Sequence, residues 1–501
     1  MPTSARLARE PSGAVADDLF AAAAKTPAVQ SLQRRLESGG ALCCSDVSQS
    51  AQPFISALLR RICPGRPIVV VTADLKAQES FQQDLETWLQ VAAGRQEASA
   101  PLTPGSKTPS LASGRPLFYP AWETLPHEAK LPHSDVISER LETLVALARN
   151  GIADPRPVPL VVTSVTALLQ LTFSPQELRR RTRGLARGDR LEPLDLVEWL
   201  EEQGYEPEAQ VTQKGELALR GGILDVYPPT SPWPVRLEFF GDELESLRHF
   251  DPLTQVSREQ IASVTLPPAG ELAILKRDLD ASILRAQSPE VTAGDDAEST
   301  GDRRPTLSPL LDYLSRETLF VFCEPGALAA HASQYAQQVP AGDPFFVPWQ
   351  DFQAALSAKG MTRLEMSESE IPAWEEDRGC PNPEPPAAHH PPPADQGPPL
   401  APLRLASLDA FRPLGDRAPE PQIAEAQRRE FFAQLHRWLR QDHAVHVFCN
   451  NDGERQRFNE IWKEYGLGTL EQASSAPQAY RAVPHSNLVR HTYLSPRATA
   501  D

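Results

Sequence analysis

The sequence predicts an α/β protein in which a parallel sheet is interrupted by a small antiparallel module. Short apolar, β-branched runs, typical of buried parallel strands, occur at Pro67–Thr72, Val158–Ser164 and Leu319–Cys323. Segments with helical spacing alternate with such runs, as at Ala77–Leu89, and this alternation indicates a parallel sheet. Between the second and third runs the pattern changes to two consecutive hairpins, so we expect the parallel domain to be split in sequence.

The first part of the parallel domain is predicted to lie within residues 28–180. Residues 1–27 are small, polar and Ala-rich, which predicts a disordered tail. Residues 92–116 are rich in Gly, Ser and Pro and predict a disordered insertion. Ile137–Ala148 then carries apolar residues along one face and predicts an amphipathic helix.

Two hairpins dominate the module predicted at residues 181–267. Strand-like runs at Glu216–Arg220 and Ile223–Tyr227 are separated by two glycines alone. A second pair, Val235–Phe240 and Glu243–Leu247, surrounds Gly241–Asp242. Two-residue turns favour φ > 0, which glycine adopts without steric cost, so both pairs predict tight hairpins.

Period-2 alternation assigns the faces of these strands. Val235, Leu237 and Phe239 face inward, whereas Arg220, Arg236 and Phe240 face outward. Arginine and aromatic residues are enriched at binding hot spots, which makes these three a candidate partner-binding surface. The alternative is a solvated sheet face on which Phe240 covers a neighbouring loop.

The remaining chain predicts the second part of the parallel domain and a further small domain. The parallel domain resumes at 268–360, with a polar insertion at about 288–304. A Pro-rich linker is predicted at 361–402. A small α/β third domain follows at 403–501, with helices at Gln422–Leu439 and Gly453–Tyr465, a strand at Ala444–Cys449 and a truncated or irregular end.

Composition restricts the class of protein. The chain has 501 residues, a formal net charge of −17 and six scattered cysteines without a CxxC pair. The acidic balance lacks the overall charge of a nucleic-acid binder, although a local basic patch stays open. The cysteine spacing argues against a zinc site or a disulfide framework and for a reducing compartment. We see neither a signal peptide nor an apolar run of membrane-spanning length, so the sequence predicts a cytoplasmic protein without membrane contact.

The residues favour a binding module over an enzyme. The phosphate-binding consensus GxxxxGK[ST] is absent, and Gly105–Thr108 resembles only its tail. The acidic run Asp242–Glu245 lies in a hairpin turn, and the pair His389–His390 has no further ligands nearby. We therefore expect no catalytic, cofactor-binding or metal-binding residues.

Four segments in order resemble the amino-terminal part of the bacterial transcription-repair coupling factors. They are FYPAWETLPHEAKLPHSDVISERLETL (Phe118–Leu144), GDRLEPLDLVEWLEEQGYE (Gly188–Glu206), KGELALRGGILDVYPP (Lys214–Pro229) and VRLEFFGDELESLRHFDPLTQ (Val235–Gln255). The fold also occurs in the excision-repair protein UvrB, but the YPAWETLPHE form and the missing phosphate loop resemble the coupling factors.

The resemblance implies a degenerate RecA-like (P-loop-fold) domain interrupted by a UvrB-homology module, with a small α/β domain after it. In the family this module recruits UvrA, the damage-recognition ATPase, and Arg220, Arg236 and Phe240 match the family's UvrA-contacting positions. RNA polymerase and DNA are bound by further domains of the family, which we expect this chain to lack. ATP and magnesium serve the motor of full-length relatives, so we expect no cofactor here. The alternative is a UvrB-like protein that binds damaged DNA or nucleotide directly.

Overall fold

The computed structural model describes residues 13–92, 115–148, 158–287, 307–368, 421–441, 447 and 449–465. The strands follow one another along the chain as β1 (Ala41–Cys44), β2 (Ile68–Thr72), β3 (Leu117–Tyr119), β4 (Leu160–Ser164), β5 (Thr172–Phe173), β6 (Arg183–Ala186), β7 (Glu206–Pro207), β8 (Glu216–Arg220), β9 (Ile223–Val226), β10 (Val235–Phe240), β11 (Glu243–Phe250), β12 (Ser257–Gln260), β13 (Ser263–Leu266), β14 (Leu307–Ser308), β15 (Leu319–Cys323) and β16 (Thr362–Met366).

The α-helices of the described residues are given next in chain order, and most of them follow one strand of the parallel sheet and precede another in sequence. They are α1 (Gly13–Ala24), α2 (Pro27–Ser38), α3 (Gln52–Ile62), α4 (Leu75–Ala92), α5 (Ser134–Ala148), α6 (Val165–Leu168), α7 (Pro175–Arg180), α8 (Pro193–Glu202), α9 (Leu272–Gln287), α10 (Pro325–Gln338), α11 (Trp349–Ala358), α12 (Pro421–Arg440) and α13 (Asp452–Glu464).

A six-stranded parallel sheet forms the larger domain, in the order β1-β16-β15-β2-β4-β3. Alternate residues of its central strands enter two different cores. Val69 and Phe320 pack on one face with α5, α10 and α11, whereas Val70 and Val321 pack on the other with α2, α3 and α4. Helices on both faces explain why β2, β4 and β15 are almost entirely apolar, as predicted.

The inserted module is built on a second six-stranded sheet, in the order β12-β11-β10-β9-β8-β7. All neighbours pair antiparallel except β7 and β8. Its inner face buries Leu217, Leu224 and Leu237 against Leu196 and Leu200 of α8. The module enters through β6 and leaves through β13, and these two strands pair with each other, so the insertion begins and ends at one place.

A buried ion pair joins the parallel domain to the end of the module. Arg140 of α5 donates to Glu271, which precedes α9, through Nε at 2.8 Å and Nη2 at 3.0 Å, and both side chains are fully buried. The guanidinium lies 4.3 Å from the Tyr119 ring centroid and 4.4 Å from that of Trp122. Trp122 Nε1 also donates to Glu271, at 3.1 Å. The aromatic residues of the YPAWETLPHE segment therefore hold this contact between domains.

Two predicted boundaries need correction. Residues 13–24 form helix α1 within the predicted tail 1–27, because its alanines favour helix and Phe20 is fully buried beside Phe54. Thr362–Met366 lies within the predicted linker 361–402, yet it pairs with β1 and β15 as a central strand. The charged residues at its alternate positions, Arg363 and Glu365, form an ion pair with each other at 3.1 Å. Because these charges interrupt the apolar run, the sequence pattern did not indicate a buried strand.

The third domain is described only in part. Helices α12 and α13 agree with prediction and pack through Phe432, Leu435 and Trp462. Asn450 donates to Asp84 of α4 at 2.8 Å and accepts from Thr87 at 2.7 Å. The predicted insertion at 288–304, most of that at 92–116, the linker beyond residue 368 and most of the strand at 444–449 lie outside the described residues. Within the described residues, no helix is both long and apolar enough to cross a membrane.

Candidate partner-binding surface

Two tight turns lie at the same end of the antiparallel sheet. Gly221 and Gly241 adopt φ of 61° and 63°, so each hairpin has the positive φ that its sequence predicts. A Cβ on Gly222 would lie 2.9 Å from the carbonyl oxygen of Phe239, so the first turn is packed closely against β10. Only glycine allows this close approach. The approach places the β8–β9 turn beside the end of β10.

A β-bulge on β11 sets which side chains of the second hairpin face outward. Glu238 pairs with Ser246, but Phe239 pairs with Leu244, so Glu245 is an extra residue on β11. Strand β10 therefore keeps its regular alternation, and Phe240 shares the outer face with Arg236 and Glu238.

Arg220 and Phe240 are exposed at the two turns. Phe240 keeps 80% of its surface accessible, and among the large apolar residues that the structure describes only Leu253 is more exposed. Arg220 is exposed as well, and its Nη2 donates to the carbonyl oxygen of Ala209. Its acceptor is a backbone carbonyl with no formal charge, so the positive charge stays at the surface.

Arg236 lies in a different environment. Its Nε and Nη2 each donate to Asp225 at 2.8 Å, in a bidentate pair whose side chains are 18% and 4% exposed. The guanidinium also lies 4.7 Å from the centroid of the buried Phe250 ring. The Asp225 hydrogen bonds raise the pKa of Arg236 above its usual value. The three predicted residues share one face, but only Arg220 and Phe240 are exposed, and Arg236 lies further in.

Part of the outer face is covered. Val211, Ala218 and Phe250 are buried there in a small apolar cluster with Tyr227. Sequence reasoning missed this cluster, and it missed Asp225 and Ile223 as members of the face. The first hairpin aligns Asp225 with Ala218, and only the separate pairing of β9 with β10 places it directly across from Arg236, so no hairpin signal in the sequence pairs these two residues.

The arginines at the entry of the module make internal contacts. Arg181 pairs with Glu177 at 2.8 Å and also with Asp278. Arg183 lies 4.5 Å from the Trp199 ring centroid, and Arg190 pairs with Glu243 at 3.4 Å. These contacts attach the entry of the module to the elements around it.

Open parallel sheets bind ligands outside the carboxyl ends of their strands, so the ends of β1 and β15 are a second candidate site. The loop after β1, Ser45–Ala51, holds neither glycine nor lysine. The Gln52 amide, 2% exposed, donates to Glu324 at 2.7 Å, and Glu324 also accepts from the Glu368 N–H at 3.0 Å. Burial raises the pKa of Glu324. No group of three or more potential metal ligands occurs in the part of the chain that the structure describes.

Comparisons with known proteins agree with the position of the module. A family model described as the UvrB interaction domain matches residues 184–272, which run from β6 to the first residue of α9. The transcription-repair-coupling factor of Haemophilus influenzae is 33% identical over 235 residues, 43% of this chain and 20% of the relative. Those of Escherichia coli and Bacillus subtilis are 37% and 36% identical over 30% and 32% of the chain. The matches cover 12% and 13% of these two relatives, so this chain spans at most a fifth of the length of any of the three.

Proposed function

Because the chain is homologous to the amino-terminal region of transcription-repair-coupling factors, we propose that it recruits UvrA in transcription-coupled nucleotide excision repair. The antiparallel module is the part that binds. The observation that carries this proposal is the position of Arg220 and Phe240, exposed together at one end of the sheet inside residues 184–272.

The chemistry of these residues suits a partner with carboxylates beside an apolar pocket. Arg220 keeps its charge at the surface and can direct a planar set of donors to a carboxylate. Phe240 can bury a large apolar area beside it at a small loss of side-chain freedom. Arg236 supports this surface from within through its bidentate pair with Asp225.

A binding assay with purified UvrA tests the proposal. We expect Phe240→Ala and Arg220→Ala each to weaken the complex roughly thirtyfold, because hot-spot truncations typically cost about 2 kcal/mol or more. Added salt should weaken the parent and Phe240→Ala more than Arg220→Ala, since the arginine contributes the charge. Leu253→Ala is the matched control, because Leu253 is 89% exposed but lies beyond the far end of β11. Equal binding by the parent and both surface variants would contradict the proposal.

We further propose that the chain acts without nucleotide turnover. The loop Ser45–Ala51 lacks the glycines and the lysine that phosphate binding requires. The hydrogen bonds of Glu324 to Gln52 and Glu368 support this proposal, because they occupy the polar groups at the ends of these strands.

A further inference from the structure

Ile223 is an exposed apolar residue within the outer face of the antiparallel sheet. It is the first residue of β9 and remains 39% exposed, whereas the other residues of that strand are buried. It pairs with Arg220 on β8 and with Glu238 on β10.

The register places Ile223 beside Phe240. Phe240 lies two residues beyond Glu238 on β10, and the regular alternation of that strand keeps both on the outer face. Diagonal neighbours of this kind on one face of a sheet are roughly 7–8 Å apart. One partner group can therefore cover both side chains at once.

Two acidic residues lie next to this pair, and each is close to an arginine. Glu243, directly across from Phe240 on β11, lies 3.4 Å from Arg190 Nη2. Glu238 accepts from the Ser246 hydroxyl and lies 3.6 Å from Arg248 Nη2. Its negative charge is thus offset within the sheet. Arg220, directly across from Ile223, leaves the edge of the apolar pair positive.

We propose that Ile223 is a further UvrA-contacting residue, and that Ile223 and Phe240 together enter an apolar pocket of UvrA whose rim is acidic. This inference rests on the proposed function and adds a residue to it. A β-branched side chain is stiff at χ1, so Ile223 loses little freedom when it is buried. Its burial should add to that of Phe240, since the stabilisation follows the apolar area removed from water.

Substitution of Ile223 by threonine tests this role while keeping a β-branched residue in the strand. We expect Ile223→Thr to bind purified UvrA about tenfold more weakly than the parent, with the same dependence on salt. Val256→Thr is the matched control. Val256 is also β-branched and is 63% exposed, but it precedes β12 at the opposite edge of the sheet, so its binding should equal that of the parent.

The outcomes separate this inference from the proposed function. If Phe240→Ala weakens binding but Ile223→Thr does not, the role of Ile223 is refuted and UvrA recruitment stands. If the parent chain does not bind UvrA, both fail. Should Ile223→Thr unfold, a photo-cross-linking phenylalanine derivative placed at position 223 decides the matter. It should capture UvrA, and the same group at position 256 should not; capture at neither position or at both would overturn the inference.

Discussion

Arg220 and Arg236 share a face of the antiparallel sheet but differ in what surrounds their guanidinium groups. Arg220 contacts a backbone carbonyl at the surface, whereas Arg236 is held by a carboxylate that is 4% exposed. Removing Arg220 deletes a surface charge. Removing Arg236 leaves Asp225 buried without its counter-ion, so the two substitutions should act by different routes.

We expect Arg236→Ala to lower the free energy of unfolding of the module by about 3 kcal/mol, because breaking a buried pair leaves an uncompensated charge. Arg220→Ala, the matched control, should stay within about 0.5 kcal/mol of the parent, as surface substitutions do. Urea unfolding followed by tryptophan fluorescence measures both. A second change, Asp225→Ala in the Arg236→Ala background, should recover part of the loss; equal stability of the parent and Arg236→Ala would contradict the buried role.

The sequence predicted the exposed turns of this surface better than its buried residues. The glycine turns and the alternation around Phe240 are local signals, and both hairpins form where they were expected. The Asp225 pair depends on the register between strands, and the burial of Phe250 depends on a loop that includes Val211. Neither follows from the periodicity of a single strand. The extra residue Glu245 likewise lets Leu244 and Leu247 both face inward, which simple alternation excludes.

Among the elements, α5 and the start of α9 carry the contact that fixes the module on the parallel domain. Arg140 and Glu271 are 131 residues apart in sequence, one in the parallel domain and the other after the inserted module. No local sequence signal therefore predicts that they form a pair. The pair is enclosed by Tyr119 and Trp122, and the Gln170 amide oxygen accepts from the backbone N–H of Trp122 at 2.8 Å. This arrangement gives a structural reason for the YPAWETLPHE segment that its resemblance alone did not supply.

We expect Glu271→Leu to lower the free energy of unfolding by about 3–5 kcal/mol, because Arg140 then remains buried and unpaired. Chemical unfolding of the whole chain measures the change. The double variant Arg140→Met with Glu271→Leu should be more stable than Glu271→Leu alone, since apolar residues of similar volume remove both charges. A double variant that is less stable than either single one would contradict this account.

The central strand β16 shows why the extent of the parallel domain was harder to predict than its type. Its sequence, TRLEM, has charged residues at alternate positions, and the Pro-rich segment follows soon after. It is a strand because β1 and β15 offer hydrogen-bonding partners on both sides. The strands β2, β4 and β15 could be predicted without knowing their neighbours, because their apolar composition indicates burial on both faces.

For the whole molecule, the arrangement of the ends of β1, β15 and β16 bears on whether the chain is a motor. The backbone N–H of Val47 donates to Ser367 at 3.0 Å, which ties the loop after β1 to the end of β16. Gln52 and the Glu368 N–H both hydrogen-bond to Glu324 at the end of β15. A phosphate would have to displace these contacts at a site without the lysine that normally binds it.

We therefore expect the purified chain to bind no ATP in a fluorescent-nucleotide titration and to hydrolyse none, with or without DNA. The reason is physical: the first turn of α3 contains Pro53, which has no N–H to donate, and the preceding loop cannot cradle phosphate without glycine. Size-exclusion fractions separate the chain from contaminating ATPases. The matched variant is Glu324→Gln, which alters the one carboxylate at the end of β15. Turnover that elutes with the chain at constant specific activity and disappears in Glu324→Gln would show that these strand ends still form a working nucleotide site.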